Sequence, residues 1–557
     1  MSSVSQQMGE KRVFLREATG LVREMKPRDA LFLNFLNMSI GLGVAWVIFW
    51  GPGIYPGANV ELGLIICMVG CMFGMFCFAT LTAAMPRSGG DYVFVSRCLH
   101  PSLGFMANWT WVCWNVVWCG VLGTWVVTWG LRDLLGILAV VNNNPDLLSW
   151  ADDLSHPDNP ITLSITSLVV ILSSVMLALG LRVYIKVQAV CAIVGLIMLL
   201  VAAALFATTS NAEWAATWNE YAEQQGAASY DATVADAPAD TPTSGLPFGE
   251  WGLTVGILPV GFWVLAYPYF SAFMGGELKR AKTTAFIGNM GGVIIGGIFV
   301  IGMYVLVTNT LSEEFIIGTY AQFYDYTGID SGGNGYAMPS QWFDFHAGLI
   351  GGSSAYAYIM GVGMIGWLLM YPALSYLGQT RAALAWSFDR LIPAWFGKVS
   401  ERWHTPINAI IFFTVVNWLY LVLYAFTFTY QQSFSAQLGQ MLGTFLFVGL
   451  AAIVLPYRKR TKPIYEASGV NWKIVGIPIV AIAGIVWVIF DLICLWYFII
   501  DPNLGASDDW SQIIPHFSVY LTFGIMFIGF GYYWVIRWYR KRQGINIDLA
   551  FQELPPE

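Results

Sequence analysis

The sequence predicts an all-α protein that crosses a membrane twelve times, with both termini on the cytoplasmic side. Three observations carry that prediction. Of 557 residues only 11% are charged while 57% are hydrophobic, and the mean hydropathy is +0.61; a water-soluble chain of this length needs far more charge to cover its surface. Almost uncharged runs such as 62–85, 161–179 and 474–500 are each long enough to cross the hydrocarbon layer as a helix, which takes roughly 20 residues. The basic residues, finally, alternate with the runs so that of 27 Lys and Arg only Arg132 falls on the far side, the asymmetry that marks cytoplasmic loops.

In chain order, residues 1–28 form a charged cytoplasmic segment whose stretch "RVFLREATGLVREMKPRD" mixes basic and apolar residues, the composition of an interfacial amphipathic helix. Spans are expected near 30–50, 61–85, 103–131, 161–180, 184–207, 251–278, 284–309, 352–380, 406–428, 433–456, 474–500 and 514–537. A tail, 538–557, follows. Arg132 and Asp133 read as the end of the third span. Two long outer loops are purely acidic: 208–250 holds seven Asp or Glu and 311–350 holds five, with no Lys or Arg. The stretch "AASYDATVADAPADTPTSG" reads as a flexible, solvated loop. The net charge of −7 therefore belongs to the outer face and gives no reason to expect a nucleic-acid partner. The eight cysteines lie within spans or on the cytoplasmic side, so no disulfides are expected. The five histidines are scattered without metal-ligand spacing, and no phosphate loop, nucleophile elbow or carboxylate pair is present. No metal, cofactor or enzymatic reaction is expected.

Two spans carry helix breakers. The first contains "NMSIGLGVAW", with Gly41 and Gly43 beside Asn37 and Ser39; the sixth contains "FWVLAYPYFSAFMGGE", with Pro268 in mid-span. A proline there removes a helical hydrogen bond and drives Tyr267 away from the right-handed region. Irregular backbone survives in a membrane only where it is buried in protein or lines a cavity. The two breaks open successive five-span sets that enter from opposite sides, the pattern of an inverted-repeat transporter. Freed amides at a half-helix N-terminus suit a carboxylate and freed carbonyls suit an ammonium; an α-amino acid carries both.

Three further motifs name the family this chain resembles. "PRSGGDYVFVSR" (86–97), "GGELKRAKTTA" (275–285) and "TRAALAWSFDRLIPAWFGKVSERWHTPINA" (380–409) are similar to the span 2–3 connection, the end of span 6 and the span 8–9 connection of amino acid–polyamine–organocation superfamily permeases. The second motif has Ala281 where those proteins usually have proline. The resemblance implies a leucine-transporter-type fold: a 5+5 inverted repeat over 29–456 and two additional helices over 457–537. It implies secondary transport of an amino acid across the cell membrane, with Ser39, Ile40, Gly41, Leu42 and Gly43 offering amides to the carboxylate. Ala266, Tyr267 and Pro268 would form the sixth-span break, Trp263 and Tyr267 would contact or gate the substrate, and Asn115 and Cys119, four apart on one face, would border the pocket. No charged residue falls at an expected pocket position, which favours neutral amino acids. The alternatives are a polyamine or cationic amino acid carrier, and a membrane sensor that binds without transporting. A coupling proton or an exchanged amino acid would be the co-substrate. Proton-linked relatives carry a span 5 lysine where Gly195 falls here; sodium-linked ones use span 8 hydroxyls, where "GWLLMYPALSY" is mainly apolar and aromatic. Asp491 is the conspicuous acid within a span, expected to be protonated or paired. Beyond the lipid bilayer, a second copy of the chain is the one macromolecular partner the resemblance leaves open, as a homodimer.

Overall fold

The computed structural model describes residues 23–238, 248–327, 340–427, 436–501, 504, 517–552 and 554. Most of the expected N-terminal amphipathic helix, 1–22, lies outside them. Among the described residues eleven helices are long and apolar enough to span a membrane; the sixth expected span is the exception, because it breaks.

The first span is two helices, α1 (Pro27–Met38) and α2 (Ile40–Ile54), meeting at Ser39. It is followed by α3 (Val60–Ala84), the short α4 (Asp91–Cys98) and α5 (Pro101–Trp125). The third span does not end near 131. A π-helical stretch, Val126–Leu131, leads straight into α6 (Arg132–Val141). Arg132 and Asp133 are thus interior to one long rod. Asp133 is fully buried and accepts a hydrogen bond from Ser340 Oγ at 2.8 Å, and the apolar "LLGILAVV" beyond it keeps the helix packed.

The outer loops also differ from expectation. Between α7 (Pro145–Asp153), α8 (Pro160–Ala178), α9 (Leu181–Thr208) and the sixth span stand two more helices, α10 (Asn211–Gln225) and α11 (Tyr230–Ala235). Ser210 and Glu213 form a capping box that starts α10, satisfying orphan amides at both positions. Its Trp214 and Trp218 are fully buried. The acidic residues sit on the wet face of an ordered cap, so the stretch read as a flexible loop is helical over 230–235. Helices α12 (Gly252–Leu265), α13 (Ala281–Leu311), α14 (Glu313–Thr327) and α15 (Phe343–Gly351) follow, the last two again structuring a loop. The chain continues through α16 (Ser354–Phe388), α17 (Ile407–Phe426), α18 (Ala436–Val454) and α19 (Lys462–Ala467). A two-residue hairpin, β1 (Lys473–Ile474) and β2 (Ile477–Pro478), leads into α20 (Ile479–Ile500), and α21 (Phe517–Arg542) is the last long helix.

Helix α16 runs through the middle, packed against α5, α9 and α6, while α3 packs against α13 and both halves of the broken spans are clasped between them. Contacts gather the basic loops onto one face. Arg182 pairs with Glu24 at 2.6 Å, Met25 bridges Leu278, Arg458 donates to the Cys98 carbonyl at 2.7 Å, and Arg540 donates to the Arg390 carbonyl at 3.0 Å. Asp491 is fully buried within α20, and neither of its carboxyl oxygens meets a hydrogen-bond partner among the described residues.

Candidate substrate site

The two breaks meet. Between them lies a cavity of about 30 Å³, room for one or two waters or a small chemical group. The first span lines it with Asn37, Met38, Ser39, Leu42, Gly43 and Trp46; α5 contributes Trp118, Leu122 and Trp125; the sixth span contributes Trp263, Val264 and Tyr267; α16 contributes Tyr371. None of these side chains is charged at neutral pH.

The first break is made by Ser39 and not by the glycines. Ser39 adopts the left-handed conformation, φ 43° and ψ 64°, unusual for a residue with a side chain. Its Oγ donates to the Trp367 carbonyl at 3.4 Å and so does not cap α2, which leaves the first-turn amides of Ile40, Gly41 and Leu42 as orphan donors. Gly43 is a correction: its amide already donates to the Ser39 carbonyl at 2.7 Å and is not exposed. The two glycines serve close approach instead. A Cβ on Gly41 would collide with the Trp367 indole, and one on Gly43 with Val264 Cγ1.

At the sixth-span break α12 ends at Leu265, and the chain resumes as two short 3₁₀ turns, Phe270–Phe273 and Gly275–Glu277. Side chains of the first span stitch it in place. Asn37 Nδ2 donates to the Tyr267 carbonyl at 2.5 Å, and the Tyr269 amide donates to that same oxygen at 2.7 Å. Asn34 Nδ2 donates to the Pro268 carbonyl at 2.9 Å, while Asn34 Oδ1 receives the Ser271 amide at 2.9 Å. Ser271 Oγ in turn donates to Asn289 Oδ1 at 2.5 Å. Sequence reasoning missed Asn34 and Asn289. For Asn34 the available signal was its spacing from Asn37, two amide side chains three apart and hence on one helix face, in an otherwise apolar span.

Of the expected site residues, Ser39, Leu42, Gly43, Trp263 and Tyr267 line the cavity. Ile40, Gly41, Ala266 and Pro268 flank it within the two breaks. Asn115 donates back to the Trp111 carbonyl of its own helix at 2.8 Å, and Cys119 Sγ lies 3.9 Å from the Pro372 carbonyl. The α5 residues that reach the cavity are Trp118, Leu122 and Trp125.

Beneath the cavity, on the face of the basic loops, the three sequence motifs converge. Gly89 has φ 103°, and a Cβ there would stand 2.7 Å from that of Ala385. Its amide donates to the Phe273 carbonyl at 3.2 Å, and Ser88 bridges Met274. Arg97 pairs with Asp389 at 2.8 Å, and Tyr92 Oη donates to the same carboxylate at 2.6 Å. Arg381 makes a two-pronged pair with Glu277, Nε to Oε1 at 2.9 Å and Nη2 to Oε2 at 3.0 Å. All four charged side chains are buried. The glycine-rich connection over 86–97 therefore packs as a plug against the end of the sixth span and the C-terminal end of α16.

Two broken spans thus line an uncharged cavity, and the three sequence motifs converge on one another. Residues 30–530 match the family described as amino acid permease. The chain belongs to the amino acid permease family. A comparison with curated proteins finds no match. As an amino acid permease with this many apolar helices, the protein is a multi-pass membrane protein, and its family points to a transporter rather than an enzyme. Among the described residues no group of His, Cys, Asp or Glu is arranged to hold a metal ion.

Proposed function

We propose that this permease is a secondary active transporter of neutral amino acids, working by alternating access with the basic face toward the cytoplasm. The observation that carries the reading is the meeting of both backbone breaks at a cavity with no charged lining. The first-turn amides of Ile40, Gly41 and Leu42 take the substrate carboxylate, where the helix dipole favours negative charge, and the ring-lined wall takes the rest. A cationic side chain or a polyamine would be buried there unpaired, at a large cost. The five-plus-five repeat and the plasma-membrane location follow from the family resemblance.

The Glu277–Arg381 and Arg97–Asp389 pairs form the inner gate, so inward opening must separate or rotate them together. Trp367 supports a coupling device other than a span 5 lysine: its indole stands 2.6 Å from where a Cβ on Gly195 would be, leaving no room for a longer side chain. Since the span 8 segment "GWLLMYPALSY" is mainly apolar and aromatic, transport is expected not to require sodium strictly, with a proton or an exchanged amino acid as co-substrate. Counterflow in liposomes tests the reading. Purified protein that accumulates no labelled amino acid under any gradient would defeat it, and uptake abolished by replacing sodium with choline would defeat the coupling part.

A further inference from the structure

The sixth-span carbonyls are the expected partners of the substrate's ammonium group, and of these the Tyr267 carbonyl is filled and the Pro268 carbonyl half filled. The Tyr267 carbonyl has two lone pairs, and it already accepts from Asn37 Nδ2 and the Tyr269 amide. The Pro268 carbonyl accepts from Asn34, and the Ser39 carbonyl accepts from Gly43. A primary ammonium brings three N–H donors that lose water on entry, and each one left unmatched costs free energy.

What the wall does offer is aromatic faces set at steep angles to one another. Trp46 and Trp263 meet at 87° with centroids 4.6 Å apart; Trp118 and Tyr267 meet at 79° and 6.4 Å. Tyr267 and Tyr371 meet at 68° and 6.4 Å, and Trp118 and Trp263 at 63° and 6.5 Å. Five rings thus box a void the size of a small group. The negative face of each ring attracts a cation within about 6 Å of its centroid, most strongly where water is excluded, and such boxes suit ammonium groups whose hydrogens are replaced by methyls.

We propose that the substrate is an N-methylated amino acid: a zwitterion whose tertiary or quaternary ammonium sits among Trp46, Trp118, Trp263, Tyr267 and Tyr371, with its carboxylate at the first-turn amides of α2. The inference rests on the permease reading and specifies its substrate class. A methylated ammonium presents few N–H groups or none, so the filled Tyr267 carbonyl costs it nothing, and it keeps the charge that the rings attract. No carboxylate lines the cavity, so the rings carry the recognition of the cationic end.

The test is a methylation series on the full-length protein: glycine, N-methylglycine, N,N-dimethylglycine and N,N,N-trimethylglycine, with leucine and phenylalanine alongside. Binding is read by intrinsic tryptophan fluorescence in detergent and transport by counterflow in liposomes. Affinity is expected to rise along the series, with the trimethyl compound on the order of ten- to thirty-fold tighter than glycine. Trp263→Phe, which keeps a ring, should preserve the gradient, and Trp263→Leu should flatten it. Counterflow of leucine or phenylalanine, with the methylated compounds equal to or weaker than glycine, would overturn the inference and leave the permease reading standing. Counterflow of none of the compounds would overturn both.

Discussion

Replacing Glu277 by Gln tests whether the plug under the cavity is held by charge. Arg381 is completely buried and Glu277 is 2% exposed, and two parallel N–H···O bonds of 2.9 and 3.0 Å join them. Losing one member of such a pair leaves the other charge buried without compensation, which costs about 3–5 kcal/mol. That corresponds to roughly two to four powers of ten in the equilibrium between closed and open plug. Removing both charges together, as Glu277→Leu with Arg381→Met, avoids the stranded charge and should recover most of the loss. Each single variant and the double variant would be compared by thermal unfolding in detergent and by alkylation of Cys98. That thiol lies at the end of α4, one residue beyond the Arg97 of the second pair, and burial pushes it up to about 12, so it stays unreactive while the plug is shut. The singles should lower the melting temperature and speed alkylation of Cys98, and the double should restore both. Singles that behave as wild type, or a double that costs the sum of its parts, would refute the idea that the pair holds the closure.

Three further predictions follow from the same geometry. Gly43→Ala should wedge α2 from Val264 and weaken substrate binding, at about 1–3 kcal/mol of overpacking, and Val264→Ala in the same chain should rescue it; failure of the rescue in monodisperse protein would refute the close-approach role. Burial pushes the Asp91 carboxyl up to about 7 against the opposing hydrogen bond from Asn108, so its stabilising protonated form is fully present below the ordinary aspartate value and is lost as pH rises through about 7. Asp91→Asn should therefore gain stability over wild type above pH 7 and lose that advantage below about pH 4, measured as the difference between their melting temperatures. Burial lowers His346, packed edge-on to Trp214 at 5.2 Å, to about 3; stability held above the ordinary histidine range should fall as pH drops toward 3, and His346→Gln should blunt that fall.

The membrane-spanning pattern was legible in the chain because lipid offers the backbone no hydrogen-bond partner. Any crossing segment must then be a long apolar helix, and any exception must be protected. Pro268 announced the sixth-span break for the same reason, since a missing N–H and a fixed ring cannot be hidden in mid-helix. The first break was harder to locate. Glycines drew attention to 41 and 43, whereas the turn sits at Ser39, held by Trp367 from a distant helix and by Asn37 reaching across to Tyr267. Those partners are more than two hundred residues away in sequence, so local propensity carries no trace of them. The acidic outer segments read as solvated loops because their charge was visible, while the burial of Trp214 and Trp218 depends on surfaces that other helices supply. The three motifs could be recognised one at a time, but that Arg97 would meet Asp389 and Arg381 would meet Glu277 is a consequence of packing. Which few of the 25 tryptophans would face one another across the cavity was also decided by packing. In a chain this apolar every face of a helix is hydrophobic, so periodicity cannot separate the face that meets lipid from the face that meets substrate; only the assembled helices do that.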